Sequence, residues 1–173
     1  SRNGGDPEQF QGESSQIIVA EAQRFIDQAT AAQQPFFVVI WFGSPHEPYS
    51  GLPQDLALYD HLPANFGNRQ VRLTSNETGR PTQRLQREVL RERFAEITAM
   101  DRSIGQLRNH LRTTGKRENT LLWYCGDNGT PQEAVATIPF RAMKGSIYEG
   151  GIRVPGVIEW PAVIKQPRHS DLN

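Results

Sequence analysis

His46 in the run G-S-P-H-E-P, Asp127 and Asn128 in C-G-D-N-G, and Lys144 in M-K-G-S-I-Y-E-G-G are reactive or ligating side chains set among glycines and prolines. An imidazole titrates near neutrality and can give a proton to a leaving oxygen or bind an anionic one. A carboxylate beside a carboxamide offers two hard oxygens, the donor type that calcium and magnesium take. An Asn in the second place, where a His would suit zinc, tilts the choice towards calcium. Adjacent side chains on a straight strand point to opposite faces, but Gly126 and Gly129 let the backbone bend so that both oxygens converge. A lysine ammonium in a glycine-rich segment is a compact point charge for a sulfate or phosphate.

Each of these has a plainer reading when taken singly. D-N-G is a turn tripeptide on conformational grounds alone, and two ligands do not complete a calcium site. Taken alone, His46 reads as an ordinary loop histidine and Lys144 as a solvated surface lysine. Glu149 and Arg153, four apart around two glycines, read as a structural pair. Cys125, the single cysteine, lies in an apolar run with no basic neighbour in sequence to favour its thiolate, and reads as a buried structural residue. Asn76, Glu77 and Thr78 form a glycosylation sequon, which matters in a secreted eukaryotic chain.

The elements that must position these residues are legible in outline. Ser14 and Ser15 offer caps for a helix over about 14–31, with apolar residues at Ile17, Ile18, Ala22, Phe25, Ile26 and Ala29. The continuous run PFFVVIWF, residues 35–42, predicts a strand covered on both faces. It runs into GSPHEPYSGLP, whose prolines, glycines and serines force a loop and place His46 just past the strand's carboxyl end. Residues 50–81 read as a long loop. Leu90, Phe94, Ile97, Met100, Ile104, Leu107 and Leu111 recur at helical spacing and predict a helix over about 85–113, stopped by Gly115. A second strand at NTLLWYC then brings Asp127 and Asn128 to its carboxyl end, and a third spans roughly 153–159. Strand, helix, strand in that order predicts an α/β fold with a mostly parallel sheet flanked by helices, which binds ligands at the carboxyl ends of its strands.

Composition sets the outer limits. A chain of 173 residues can bury a real core, and 15 Gly and 12 Pro suit a loop-rich globular protein. Nineteen basic and nineteen acidic residues cancel, so no global field favours nucleic acid or an anionic membrane, although the stretch from Arg69 to Arg93 is locally basic. The longest apolar stretch is far short of the ~20 residues that span a bilayer. The N-terminus has no signal-peptide pattern.

Taken together and in order, PFFVVIWFGSPHEP, AMDRSIGQLRNHLRTTGKRENTLLWYCGDNG and MKGSIYEGGIRVPGVIEWP resemble the sulfatase family of the alkaline-phosphatase superfamily, over roughly residues 13–165. The resemblance implies a sulfate-ester hydrolase and, with it, export to a periplasmic, extracellular or lysosomal compartment. It implies that Asp127 and Asn128 are two ligands of a single divalent cation, usually calcium, and that His46 and Lys144 contact the sulfate and assist the leaving oxygen. The family's nucleophile is a formylglycine made within C-x-P-x-R or S-x-P-x-R, and neither pattern occurs in this sequence. Residues 1–173 are therefore expected to be an incomplete portion of a single catalytic domain. The nucleophile, further metal-binding aspartates and a C-terminal subdomain would then lie elsewhere in the same polypeptide, and the piece alone would be inactive. A phosphodiesterase or phosphonate hydrolase of the same superfamily, or a non-catalytic remnant, is the alternative.

Overall fold

In the computed structural model, which describes residues 4–63, 66–75, 77–131, 133 and 139–169, helix α1 covers Ser14–Ala31. Its cap is neither serine. Glu13 accepts the backbone N–H groups of Ser15 and Gln16, each at 2.8 Å, so one carboxylate satisfies two orphan donors and sets a negative charge at the positive end of the helix. The buried face of α1 is Ser15, Val19, Ala22, Ile26 and Ala29, whereas Phe25 is exposed. The sequon's acceptor, Asn76, lies outside the described residues.

The chain divides into two compact units, Ser1–Leu107 and Arg108–Asn173. In the first, residues 36–42 alternate strictly between half-buried and exposed, as an extended chain does. They join no ladder among the described residues. The cover expected on both faces of this run is not seen among the described residues, where Phe37 and Trp41 are 87% and 84% exposed.

Residues 50–81 are more ordered than their irregular sequence suggests. They contain the short helix α2, Pro53–Ala57, opened by proline at its first position, and strand β1, Gln70–Thr74. Strand β1 pairs antiparallel with β2, Pro81–Leu85. Val71 and Leu73 turn inwards to form a small core with Tyr49 and Val89, while Arg72 between them faces out. Pro81 opens β2, where a missing N–H costs least.

Helix α3 runs over Gln86–Thr113 as the spacing predicts. It stops at Gly115, whose φ of +70° is a left-handed conformation that glycine adopts without strain. There the N–H groups of Gly115 and Lys116 donate to the carbonyls of Arg112 and Leu111. In the second unit, β3, Leu122–Cys125, pairs with β4, Gly156–Glu159, and the pairing is antiparallel. Both ladders among the described residues are antiparallel, and the parallel pairing that strand, helix, strand predicts is not seen among them. β3 finds its partner in the segment that turns back after the short helix α4, Glu149–Ile152. Cys125 is exposed, not buried, because it shares with Trp123 the outer face of this ladder. Glu159, at the end of β4, accepts from Arg108 at 2.6 Å and Arg117 at 2.8 Å; the Arg108 bond is the main reason its carboxyl is held below the ordinary range, burial opposing it. No helix among the described residues is long and apolar enough to cross a membrane.

One ion pair in the first unit has a deeply buried member. Asp55 of α2, 2% exposed, receives both terminal nitrogens of Arg102 of α3 at 2.8 and 2.7 Å. The hydrogen bond from Arg102 holds the Asp55 carboxyl below its ordinary range against the opposing effect of burial. A carboxylate with a depressed folded value adds stability above its unfolded value, and that stability is lost as pH falls through the folded one. Removing Arg102 would strand a buried charge at a cost of ~3–5 kcal/mol, reduced here to about 2 kcal/mol because the guanidinium is partly in water. Urea unfolding of Arg102→Ala at pH 7 should therefore show a loss of about 2 kcal/mol. The gap from the parent chain should close on acidification below about pH 4.

Candidate functional site

The second unit carries three of the four residues singled out by type and spacing. Asp127 and Asn128 follow β3 immediately, Asp127 exposed and Asn128 half-buried. Two backbone bonds tie their loop to the segment bearing Lys144: Gly129 N–H donates to the Gly151 carbonyl at 2.8 Å, and Lys144 N–H donates to the Thr130 carbonyl at 3.0 Å. The Lys144 backbone is thus bonded two residues beyond Asn128, and its side chain is exposed.

Glycines make this approach possible. A Cβ on Gly129 would lie 2.0 Å from the Gly150 carbonyl oxygen, one on Gly150 2.0 Å from that of Ala142, and one on Gly151 2.0 Å from that of Ser146. All three obstacles are main-chain atoms with no rotamer to yield. The E-G-G tripeptide is therefore a packing device in which backbone sits on backbone. Around it, the Arg141 guanidinium lies 3.6 Å above the Tyr148 ring centre and Arg153 lies 4.9 Å above that of Phe140. Glu149 and Arg153 pair at 3.4 Å on the surface, as their spacing suggests.

The donors at the end of β3 match a hard cation in kind: one carboxylate and one carboxamide oxygen. They do not match it in number, since calcium takes ~6–8 oxygens, and no group of three or more His, Cys, Asp or Glu is assembled among the described residues. A cation held here would need oxygens from further residues.

His46 belongs to the first unit and is exposed. It lies on the loop after residues 36–42, and its Nδ1–H donates to the Glu47 carbonyl at 2.7 Å. A carbonyl only accepts, so Nδ1 carries the hydrogen and Nε2 is left to meet a ligand. The loop is held at three points. Glu47 Oε2 accepts the Thr74 N–H at 2.9 Å, Tyr49 is 1% exposed in the core with Val71, Leu73 and Val89, and Glu96 Oε1 accepts the Ser50 N–H at 2.7 Å. His46, Glu47, Ser50 and Glu96 line one open cleft. Burial, with Glu92 and Glu13 nearby, pushes the Glu96 carboxyl up to about 7. A raised carboxyl value has the opposite linkage from Asp55: its contribution to stability is full below the ordinary carboxylate range and is lost as pH rises through about 7. Tyr49 was findable as an aromatic between turn residues; Glu96 looks in sequence like any polar position on a helix.

Comparison with known proteins follows the same geometry. The sequence profile of the family described as Sulfatase matches residues 2–173. An ulvan-active sulfatase of Formosa agariphila is 29% identical over 86% of this chain and 27% of its own length. N-acetylgalactosamine-6-sulfatase of Mus musculus is 27% identical over 87% of this chain and 24% of its own. The structure of Ps i-CgsB in complex with k-i-k-neocarrahexaose superposes with a TM-score of 0.71 at 26% identity, covering 92% of this chain and 30% of that one. A sulfatase from Pseudoalteromonas sp. shares the fold with a TM-score of 0.61 at 24% identity, covering 92% and 28%. The chain spans about a quarter of the length of the curated relatives it matches.

The glycine contacts make a test possible. Gly150→Ala should destabilise the chain by about 3 kcal/mol, the upper range of an overpacked site. Gly105→Ala, in open space on α3, should stabilise it by about 1 kcal/mol through helix propensity alone. Urea midpoints of the two variants should move in opposite directions.

Proposed function

We propose, from the premise that this chain belongs to the sulfatase family, that it is part of a hydrolase converting a sulfate ester to an alcohol and sulfate. The match over residues 2–173 carries this reading, and the bonding of the D-N-G loop to the Lys144 segment supports it. The rest of the catalytic domain would come from other parts of a longer polypeptide, in which residues 36–42 would take their place in a mostly parallel sheet. That polypeptide would be exported.

In this reading Asp127 and Asn128 hold two positions around a calcium ion. When bound, the ion would supply positive charge to a sulfate ester, and the attacking oxygen would come from a formylglycine elsewhere in the polypeptide. Lys144 places its ammonium on a sulfate oxygen and offsets charge that grows there as the sulfur–oxygen bond to the alcohol breaks. His46, held through Nδ1, delivers a proton from Nε2 to the departing oxygen, so the alcohol leaves neutral. Both residues act on charge that develops during the reaction, so their loss should fall mainly on kcat.

In the full-length protein, His46→Ala and Lys144→Ala should each lower kcat for sulfate release from an aryl sulfate by roughly 10²–10³-fold with the fold intact. Chelation of calcium should abolish release and its return restore it. Unchanged turnover in either variant removes that residue from the reaction, and cleavage of a phosphodiester or phosphonate in place of the sulfate ester moves the protein to another branch of the superfamily.

A further inference from the structure

The His46 loop lies in the cleft that Glu96 also lines, and the loop's course is fixed by hydrogen-bond partners outside it. From Ser44 to Ser50 it carries two prolines, which donate no N–H, and the His46 N–H is spent inside the loop on Gly43 at 3.0 Å. The Ser50 N–H, four residues past His46, is given to Glu96 on α3 at 2.7 Å. Glu47 grips β1 through Thr74, and Tyr49 is packed against β1 and the start of α3. The imidazole is therefore carried on a short span whose far end is fastened to a carboxylate of a long helix.

We infer that Glu96 is a positioning residue: by accepting the Ser50 N–H it fastens the His46 loop to α3 and sets the approach of Nε2 to the substrate. This rests on the catalytic part proposed for His46. The acceptor is also one that changes charge near neutrality, since burial and the neighbouring Glu92 and Glu13 push it up to about 7. His46 and Glu47 are the other titratable groups on the cleft, and Glu47 is engaged with the Thr74 N–H. A carboxylate grips an N–H roughly twice as strongly as a neutral acceptor, so the loop is held tightest above about pH 7. Glu96 thereby adds an inflection to kcat that does not come from His46.

The test is a double-mutant cycle on the full-length protein with an aryl sulfate, reading kcat, KM and their pH profiles. Glu96→Ala should lower kcat about tenfold with little change in KM, while having no further effect in a His46→Ala background. Glu96→Gln keeps an amide oxygen for Ser50, so it should retain most of the rate while losing the inflection near pH 7. An unaltered kcat in Glu96→Ala, an unaltered profile in Glu96→Gln, or a full tenfold loss persisting without His46 each overturns the inference. If His46→Ala alone turns over like the parent, the catalytic part of His46 fails, and the positioning role fails with it. If His46→Ala is crippled and Glu96→Ala is not, only the positioning role fails.

Discussion

Backbone N–H groups in irregular loops must find acceptors, and this requirement ties down the segments that carry His46, the D-N-G tripeptide and Lys144. A strand or helix supplies partners by repetition, whereas a loop has to find each one separately. The His46 loop finds Glu96 for Ser50, and lends its own Glu47 to Thr74. The loop after β3 finds Gly151 for Gly129, and the segment after it finds Thr130 for Lys144. In each unit a side chain with chemical potential sits on a span whose main chain has been spoken for. Exposure of His46, Asp127 and Lys144 is then compatible with definite placement.

The sequence made the long helices legible because their signals are long. α3 has seven apolar residues at helical spacing and ends at a glycine with positive φ, and α1 follows a similar rhythm. Where the signal was short, the reading failed. Strand β1 offers only Val71 and Leu73 in alternation, too few to separate from a loop among prolines and polar residues. The helix cap moved to Glu13 because a carboxylate can reach two donors at once, an outcome that residue preference does not encode. Sheet direction is not legible from element order alone, because order does not fix a strand's partner. β3 is joined by β4 returning alongside it, and residues 36–42 join no ladder among the described residues.

The candidate site was legible as residue types and not as supports. His46, Asp127, Asn128 and Lys144 are visible because they interrupt glycine and proline runs with groups that have chemistry. Glu96 interrupts nothing, and its meaning comes from Ser50, 46 residues away in sequence. Phe37, Trp41 and Trp123 are apolar in type yet exposed among the described residues, which their sequence runs do not announce.

The glycine packing after β3 has a consequence for how such a protein can change over time. Its tight contacts run from would-be Cβ positions to carbonyl oxygens, so they do not depend on which side chains stand between Lys144 and Glu149. Ile147, 86% exposed, projects from a frame that holds without it. Such a frame separates heritable variation into two kinds: exchanges at the tightly packed glycines are purged as misfolding, while exchanges at Ile147 can accumulate and rework the local surface without moving Lys144.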